Sequence, residues 1–317
     1  MTRIINIEKL YSKVIYYLTF LTLGIFGSSC VAEIVVSIPP HASLVEQLVG
    51  DRLTVHVMIS PGKSLHTFDP TPSDLVKLSK AELVVVNGGV DAWIEDLIIA
   101  SETQAPVIKL LDKVDLPLVS TDHDDHDGHD DHDGDHDDGW SHAGHHYFGP
   151  DPHFWLDPVV MIQIVDLLEQ ELIKVDPEGE EQYRLNATTL RKDLVILHEE
   201  LSAALAEVAG QPFVAYHDAW AYFADRYDLK LMMSIEPFPG REPSLSYLKK
   251  ALDSVRASGA RAVFAEFQLD TRPAKIIAKS AGVKLETLDP LGGFGDRQSY
   301  QDLMRYNAEM ILRGLSN

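Results

Sequence analysis

Residues 177–208 read PEGEEQYRLNATTLRKDLVILHEELSAALAEV, and this stretch decides how the rest of the 317-residue chain is organised. Its apolar residues recur at helical spacing, and past Gly179 it contains neither Gly nor Pro. At 1.5 Å per residue, a helix of about thirty residues spans roughly 45 Å, more than the width of one lobe. The stretch therefore predicts a long helix over 177–210 that connects a first lobe over 33–176 to a second lobe over 211–317.

Short apolar strands alternate with helical segments on both sides of this predicted helix. In the first half the predicted strands are residues 33–38, 53–59, 83–87 and 107–110. In the second half they are residues 213–216, 229–234, 262–266 and 284–288. Strands that alternate with helices at this spacing are typical of parallel sheets covered on both faces. The predicted fold class is α/β, with two lobes, each a mostly parallel sheet flanked by helices, joined by a single long helix.

Residues 1–32 have the composition of a signal peptide. Three basic residues precede an apolar run over 14–26, and small residues follow it. The run is short for a membrane span, so we expect an exported, soluble, periplasmic mature protein. The single cysteine, Cys30, lies in the cleavage region; a cleaved signal peptide is the favoured interpretation, and a lipid anchor on Cys30 is the alternative. Once Cys30 is removed, the chain has no disulfide and no thiolate metal ligand.

A run of alternating Asp and His occupies a predicted disordered loop over about residues 120–148. Residues 122–138 contain ten Asp and no Lys or Arg, and contribute much of the formal net charge of −22. Such acidity disfavours nucleic acid and anionic membranes as partners and is compatible with cations. Imidazoles and carboxylates at this density predict an auxiliary zinc collector or sensor, the alternative being an acidic linker with incidental metal affinity. Eight of the fourteen histidines lie in this loop: His123, His126, His129, His132, His136, His142, His145 and His146.

Four candidate metal ligands outside the Asp/His run lie at or just after predicted strand ends, one of them, His153, in the loop before a predicted helix. Ligands bind beyond the carboxyl ends of the strands in open α/β sheets, and each half of the chain supplies two of the four candidates. Three imidazoles and one carboxylate form a four-coordinate nitrogen and oxygen set that suits Zn²⁺ better than Mg²⁺ or Ca²⁺. The four residues are His66, His153, His217 and Asp289.

Four segments around these residues resemble the motifs of a known family. They are PGKSLHTFDP at 61–70, DPHFWLDP at 151–158, VAYHDAW at 214–220 and LDPLG at 288–292. In this order they resemble the metal-binding solute-binding proteins that feed zinc and manganese ABC importers, and the resemblance covers essentially the whole mature chain. It implies two lobes joined by a rigid helix, with the metal held in the cleft between them.

The same resemblance implies ligand roles for His66, His153, His217 and Asp289. Members regarded as manganese proteins usually carry a carboxylate at the third position, where this chain has His217. His217 and the Asp/His loop therefore resemble the zinc branch. Because family loops vary in length and composition, the resemblance assigns no role to any single residue of the loop.

The function that we predict is capture of Zn²⁺ in the periplasm and its delivery to a membrane permease of an ABC transporter, by a monomer without catalytic activity. A manganese or broad divalent-metal carrier is the alternative within the same class. A zinc hydrolase that uses Glu266 or Asp218 as a base is an alternative of a different class, because both are carboxylates near predicted strand ends. A surface adhesin with structural zinc is a third alternative.

Overall fold

The computed structural model describes residues 32–91, 93–119, 150–236, 240 and 243–316. Most of the predicted signal peptide, Cys30 and all eight loop histidines lie outside these residues, so predictions for them are not tested. No helix in the described part of the chain is both long enough and apolar enough to cross a membrane.

The first half of the chain builds one four-stranded parallel sheet. Its strands are β1 (Glu33–Val36), β2 (Thr54–Val57), β3 (Leu83–Val86) and β4 (Val107–Lys109). They lie in the order β2-β1-β3-β4, and every pair is parallel. The helices are α1 (Pro39–Val49), α2 (Pro72–Lys80), α3 (Trp93–Ser101) and α4 (Pro158–Val175). The central strands β1 and β3 are almost wholly buried, as continuous apolar runs in parallel sheets are.

The second half builds a sheet of the same topology. Its strands are β5 (Pro212–Ala215), β6 (Lys230–Ser234), β7 (Ala262–Glu266) and β8 (Lys284–Leu288). They lie in the order β6-β5-β7-β8, again with all pairs parallel. Its helices are α6 (Ala221–Arg226), α7 (Leu245–Ser258), α8 (Arg272–Ala281) and α9 (Tyr300–Leu315). The predicted α/β fold with two parallel sheets is therefore confirmed.

The predicted connecting helix is α5, which covers Glu180–Leu205 and has short 3₁₀ turns at both ends. Its buried face repeats at three- and four-residue spacing, as one apolar stripe of a helix does. It contacts both halves: the Asn186 amide donates to the Leu48 carbonyl on α1 at 2.8 Å, and Arg305 on α9 lies 2.9 Å from Glu200. The long helix that joins the two sheets is thus present; compared with the predicted 177–210 it is three residues shorter at its start and five residues shorter at its end.

The segment 151–157 lies where the two halves meet. The Trp155 indole donates to the carbonyl of Pro290 at 2.8 Å, and the Tyr300 hydroxyl donates to the carbonyl of Trp155 at the same distance. Asp157 caps α4 and pairs with Arg226 of α6 at 2.7 Å. Because groups of the second half hold this segment, the position of His153 within it depends on both halves.

Candidate metal centre

His66 lies in the loop between β2 and α2. Its backbone amide donates to the Ser64 hydroxyl at 3.3 Å, and its Nε2 atom is buried without a hydrogen-bond partner. Burial, followed by the charges of His217 and His153, holds the pKa of His66 well below its ordinary value. His66 is therefore a neutral imidazole, and a neutral imidazole is the form that binds metal.

His153 is oriented by the carboxylate two residues before it. Asp151 Oδ1 accepts from the backbone amide of His153 at 2.9 Å and from its Nδ1 at 2.7 Å. An ionised carboxylate accepts only, so Nδ1 carries the proton and Nε2 keeps its lone pair. Both side chains are buried, with 4% and 7% of their surfaces exposed.

His217 follows β5 and is oriented in the same way, by a carboxylate from a neighbouring strand. Its Nδ1 lies 2.9 and 3.0 Å from the two oxygens of Glu266 at the end of β7, and the Trp220 indole also donates to Glu266, at 3.2 Å. Burial by itself lowers the pKa of His217, but the charge and hydrogen bond of Glu266 outweigh it, so the pKa lies above its ordinary value. Glu266 thus serves as an orienting partner of His217.

The three imidazoles meet in one cluster. Their ligand atoms all lie within 4.8 Å of one another, and the Nε2 atoms of His153 and His217 are 3.3 Å apart. With both Nδ1 atoms protonated, two lone pairs face each other, and this is stable only if a proton or a cation lies between them. His66 and His217 also line a small cleft. The geometry suits a divalent metal that prefers nitrogen ligands.

The structure does not bring Asp289 into this cluster. Asp289 directly follows β8, as predicted, and is fully buried. Its Oδ1 accepts from Gln268 Nε2 at 2.6 Å and from the amides of Leu291 and Gly292, while its Oδ2 lies 3.0 Å from Arg297 Nε. The role of Asp289 as the fourth ligand therefore stays a prediction.

The other histidines of the described residues lie outside the cluster. His41 is a buried residue of α1, and its Nε2 lies 2.8 Å from Asn87 Oδ1, which makes it a packed core histidine. His56 lies 3.6 Å from Glu33 with about a third of its side chain exposed. His198 on α5 packs against the ring of Tyr227.

Three residues near the site have contacts that sequence reasoning did not identify: Asp151, Gln268 and Arg297. The Asp-x-His spacing of residues 151–153 is a local signal that could have identified Asp151, because an Asp side chain readily accepts from the amide two residues later. Gln268 and Arg297 reach Asp289 only through the folding of the segments after β7 and β8, and no local spacing indicates that.

A protein with two parallel α/β sheets, a long connecting helix and a set of three imidazoles where the halves meet, two of them buried and one half-buried, has the architecture of the metal-binding solute-binding proteins. This chain belongs to the family described as "Zinc-uptake complex component A periplasmic" (ZnuA), which matches residues 34–314. Members of this family are metal-binding solute-binding proteins and not enzymes, so the hydrolase alternative is wrong. Zinc is the ion of the family's description, and the three imidazoles form a set that could hold it.

Several known proteins are similar to this chain in sequence or in structure. The zinc-binding protein AdcA of Streptococcus pyogenes serotype M3 is 28% identical over 286 residues, which cover 88% of this chain and 55% of AdcA. The chain thus spans about half the length of the streptococcal relatives it matches. The manganese-binding lipoprotein MntA of Halalkalibacterium halodurans is 24% identical over 324 residues, covering 96% of this chain and 99% of MntA. A crystal structure of ZnuA superposes with a TM-score of 0.75 at 28% identity, covering 90% of this chain and 99% of that one.

Proposed function

We propose that this protein captures Zn²⁺ outside the cytoplasm and delivers it to the membrane permease of an ABC importer. The observation that supports this is the cluster of His66, His153 and His217, whose ligand atoms lie within 4.8 Å of one another. Family membership supports zinc as the cargo and an importer as the destination.

The way the ligands are held favours binding of a metal without chemical turnover. Two of the imidazoles have their Nδ1 protons fixed by Asp151 and Glu266, which orients Nε2 toward the metal and increases its basicity. One ligand comes from the first sheet's loop, one from the interface segment and one from the second half. A small movement of the halves would therefore lengthen a metal bond and promote release to the permease.

A manganese or broad divalent-metal carrier is the second candidate, because MntA is named a manganese-binding lipoprotein and matches nearly the full length of this chain. Imidazole is a softer ligand than carboxylate and suits zinc better than manganese. Metal analysis of protein purified without added metal would separate the two: one zinc per chain supports the first proposal, and manganese supports the second.

We further propose a monomer in the periplasm, with residues 1–32 as a cleaved signal peptide. The names of several relatives include the word lipoprotein, which supports the alternative of a lipid on Cys30. Mass spectrometry of the mature N-terminus distinguishes the two, because acylated Cys30 would be the first residue of a lipoprotein. We propose the Asp/His loop as an auxiliary zinc collector, and deletion of residues 122–146 should leave one tightly bound zinc.

The test of the site is calorimetric zinc titration of the variants His153→Ala and His217→Ala. Each removes one of three nitrogen ligands, so tight 1:1 binding should be lost while the apo protein stays folded. His56→Ala is the matched control, because His56 is partly exposed and lies outside the cluster. Tight stoichiometric zinc in both site variants would contradict the assignment.

A further inference from the structure

A buried ion pair between Asp289 and Arg297 lies beside the metal cluster. Asp289 Oδ2 and Arg297 Nε are 3.0 Å apart, and the two side chains are 0% and 7% exposed. A carboxylate buried to this degree is costly without a positive partner. Among the described residues Arg297 supplies that charge, although Asp289 is the residue that the sequence motif predicts as a metal ligand.

The guanidinium of Arg297 is held firmly in place. Its Cζ lies 4.4, 4.6 and 4.3 Å from the ring centroids of Phe267, Phe294 and Tyr306. Aromatic faces stabilise a cation at such distances. The Arg297 position is thus organised before any metal binds.

The turn that brings Arg297 to Asp289 requires glycine. Gly292 has φ +65°, and a Cβ atom there would lie 2.9 Å from the carbonyl oxygen of Arg297. Gly293 donates its amide to the same carbonyl at 2.8 Å. The glycine-rich segment after β8, which the sequence alone does not explain, therefore folds Arg297 back over Asp289.

The two oxygens of Asp289 are held differently. Oδ1 accepts three hydrogen bonds, whereas Oδ2 has the charge of Arg297 nearby but no aligned donor, and Arg297 Nε has no aligned acceptor. The pair is thus held by charge and not by a directional hydrogen bond. Oδ2 is the oxygen that is free to exchange one cation for another.

Gln268 connects this pair to the metal cleft. It lines the cleft with His66 and His217, and its amide nitrogen donates to Asp289 Oδ1 at 2.6 Å. Its own Oε1 atom is buried without a partner. Gln268 thus connects Asp289 to the cleft that His66 and His217 line.

We propose that Arg297 is an affinity-setting residue that competes with the incoming divalent metal for Asp289 Oδ2. The inference rests on the proposed function. An arginine in this position repels a metal ion by its charge, and it also neutralises the carboxylate that the metal would use. Both effects weaken metal binding and so favour release of the metal. Both also leave the three imidazoles as the dominant ligands, and imidazole ligands favour zinc over manganese.

The test is Arg297→Met, which removes the charge and keeps an apolar stem against the three rings. Zinc affinity should rise by about tenfold, and manganese affinity by a larger factor, because an uncompensated buried carboxylate gains from any cation. The melting temperature of the apo protein should fall, and its rise on zinc addition should exceed that of wild type. A purely structural defect would lower both stability and affinity.

Two further variants show whether the gain depends on Asp289. In the double variant Arg297→Met with Asp289→Asn, the gain in zinc affinity should disappear. Arg313→Met is the matched control, since Arg313 lies on α9 with 59% of its side chain exposed and pairs with Glu286 at 3.7 Å. Zinc binding in this control should equal that of wild type.

A measurement on wild type needs no destabilising change. The ¹⁵N resonance of Arg297 Nε, assigned by its absence in Arg297→Lys, should shift as one equivalent of zinc is added. If zinc binds at 1:1 and the resonance does not move, or if a folded Arg297→Met binds zinc no tighter than wild type, the inference is overturned while the proposed function stands. A wild-type protein that binds no zinc would overturn both.

Discussion

Two buried histidines of this protein have opposite properties. His217 and His41 are 4% and 0% exposed, yet the pKa of His217 lies above its ordinary value, whereas burial lowers the pKa of His41 to about 4. The partner of His217 is the carboxylate of Glu266, and the partner of His41 is the neutral amide of Asn87. Burial alone therefore disfavours positive charge on a histidine, and a carboxylate partner makes its surroundings suitable for a cation.

The two histidines also change stability with pH in opposite directions. The raised pKa of His217 contributes stability that is present below pH 6.5 and is lost as the pH rises through the folded-state pKa. The lowered pKa of His41 contributes stability that is present above pH 6.5 and is lost as the pH falls toward 4. Variants that change the partner should therefore reverse or remove these dependences.

The largest expected effect concerns His41. The pKa of His41 is about 4 in the folded protein and 6.5 in the unfolded chain. This difference should lower the unfolding free energy of the apo protein by about 3 kcal/mol when the pH falls from 7 to 4. In His41→Gln this share of the pH dependence should disappear. Urea denaturation of both proteins at pH 7 and pH 4 measures it, and equal losses in the two proteins would contradict it.

A reciprocal change tests the same comparison from the other side. Asn87→Asp gives His41 a carboxylate partner, so the pKa of His41 should rise toward that of His217, as measured by NMR titration. Asn87 also donates to the carbonyl of Pro152 at 3.0 Å, next to His153, and so zinc titration is the companion measurement.

The second prediction concerns a variant that gives His217 a neutral partner, as His41 has. Glu266→Gln keeps a hydrogen-bond acceptor and removes the charge, so the pKa of His217 should fall and zinc affinity should drop by about 10- to 100-fold, as is usual for an orienting carboxylate. Isothermal calorimetry against wild type measures the loss. Unchanged affinity would mean that Glu266 does not tune His217.

The third prediction applies the comparison to His153. Asp151→Asn replaces the carboxylate that orients Nδ1, and zinc affinity should fall by about tenfold, the lower end of the range for such partners. The loss should be smaller than that of Glu266→Gln, because the side chain of Asp151 is less buried, 7% exposed against 2%. A larger loss at Asp151 would reverse the ranking of the two partners.

The smallest effect is expected at an exposed ion pair. Arg305 and Glu200 join α9 to α5 at 2.9 Å, but their side chains are 47% and 49% exposed. Arg305→Ala should change the unfolding free energy by no more than about 1 kcal/mol, because water screens such pairs. If Arg305→Ala lowered the unfolding free energy by as much as is expected for the pH effect of His41, the pair would hold the two halves together more strongly than its exposure indicates.

Local patterns predicted the regular elements well. β7 and β8 lie at their predicted residues, 262–266 and 284–288. Such strands depend on the apolar pattern of the chain, which is a local property. The ends of elements were less accurate, as at β2, where the predicted 53–59 shortens to Thr54–Val57, because pairing with β1 and not apolarity decides where a strand ends.

Motifs beside predicted strand ends indicated His66 and His217 as candidate ligands, and the structure brings both close to His153. Their role as metal ligands stays a prediction. The positions of Glu266 opposite His217 and of Arg297 opposite Asp289 depend on the order of strands in the sheet and on the fold of a turn, which sequence spacing does not contain.

The sequence by itself determined the α/β class and the long connecting helix and indicated three candidate histidines, because apolar periodicity and the chemistry of residue types at strand ends are local properties of the chain. Only the tertiary structure decided which charged group faces each ligand, because those partners come from segments far apart in sequence. The carboxylate behind His217 prepares it for a cation, whereas the guanidinium beside Asp289 already supplies one.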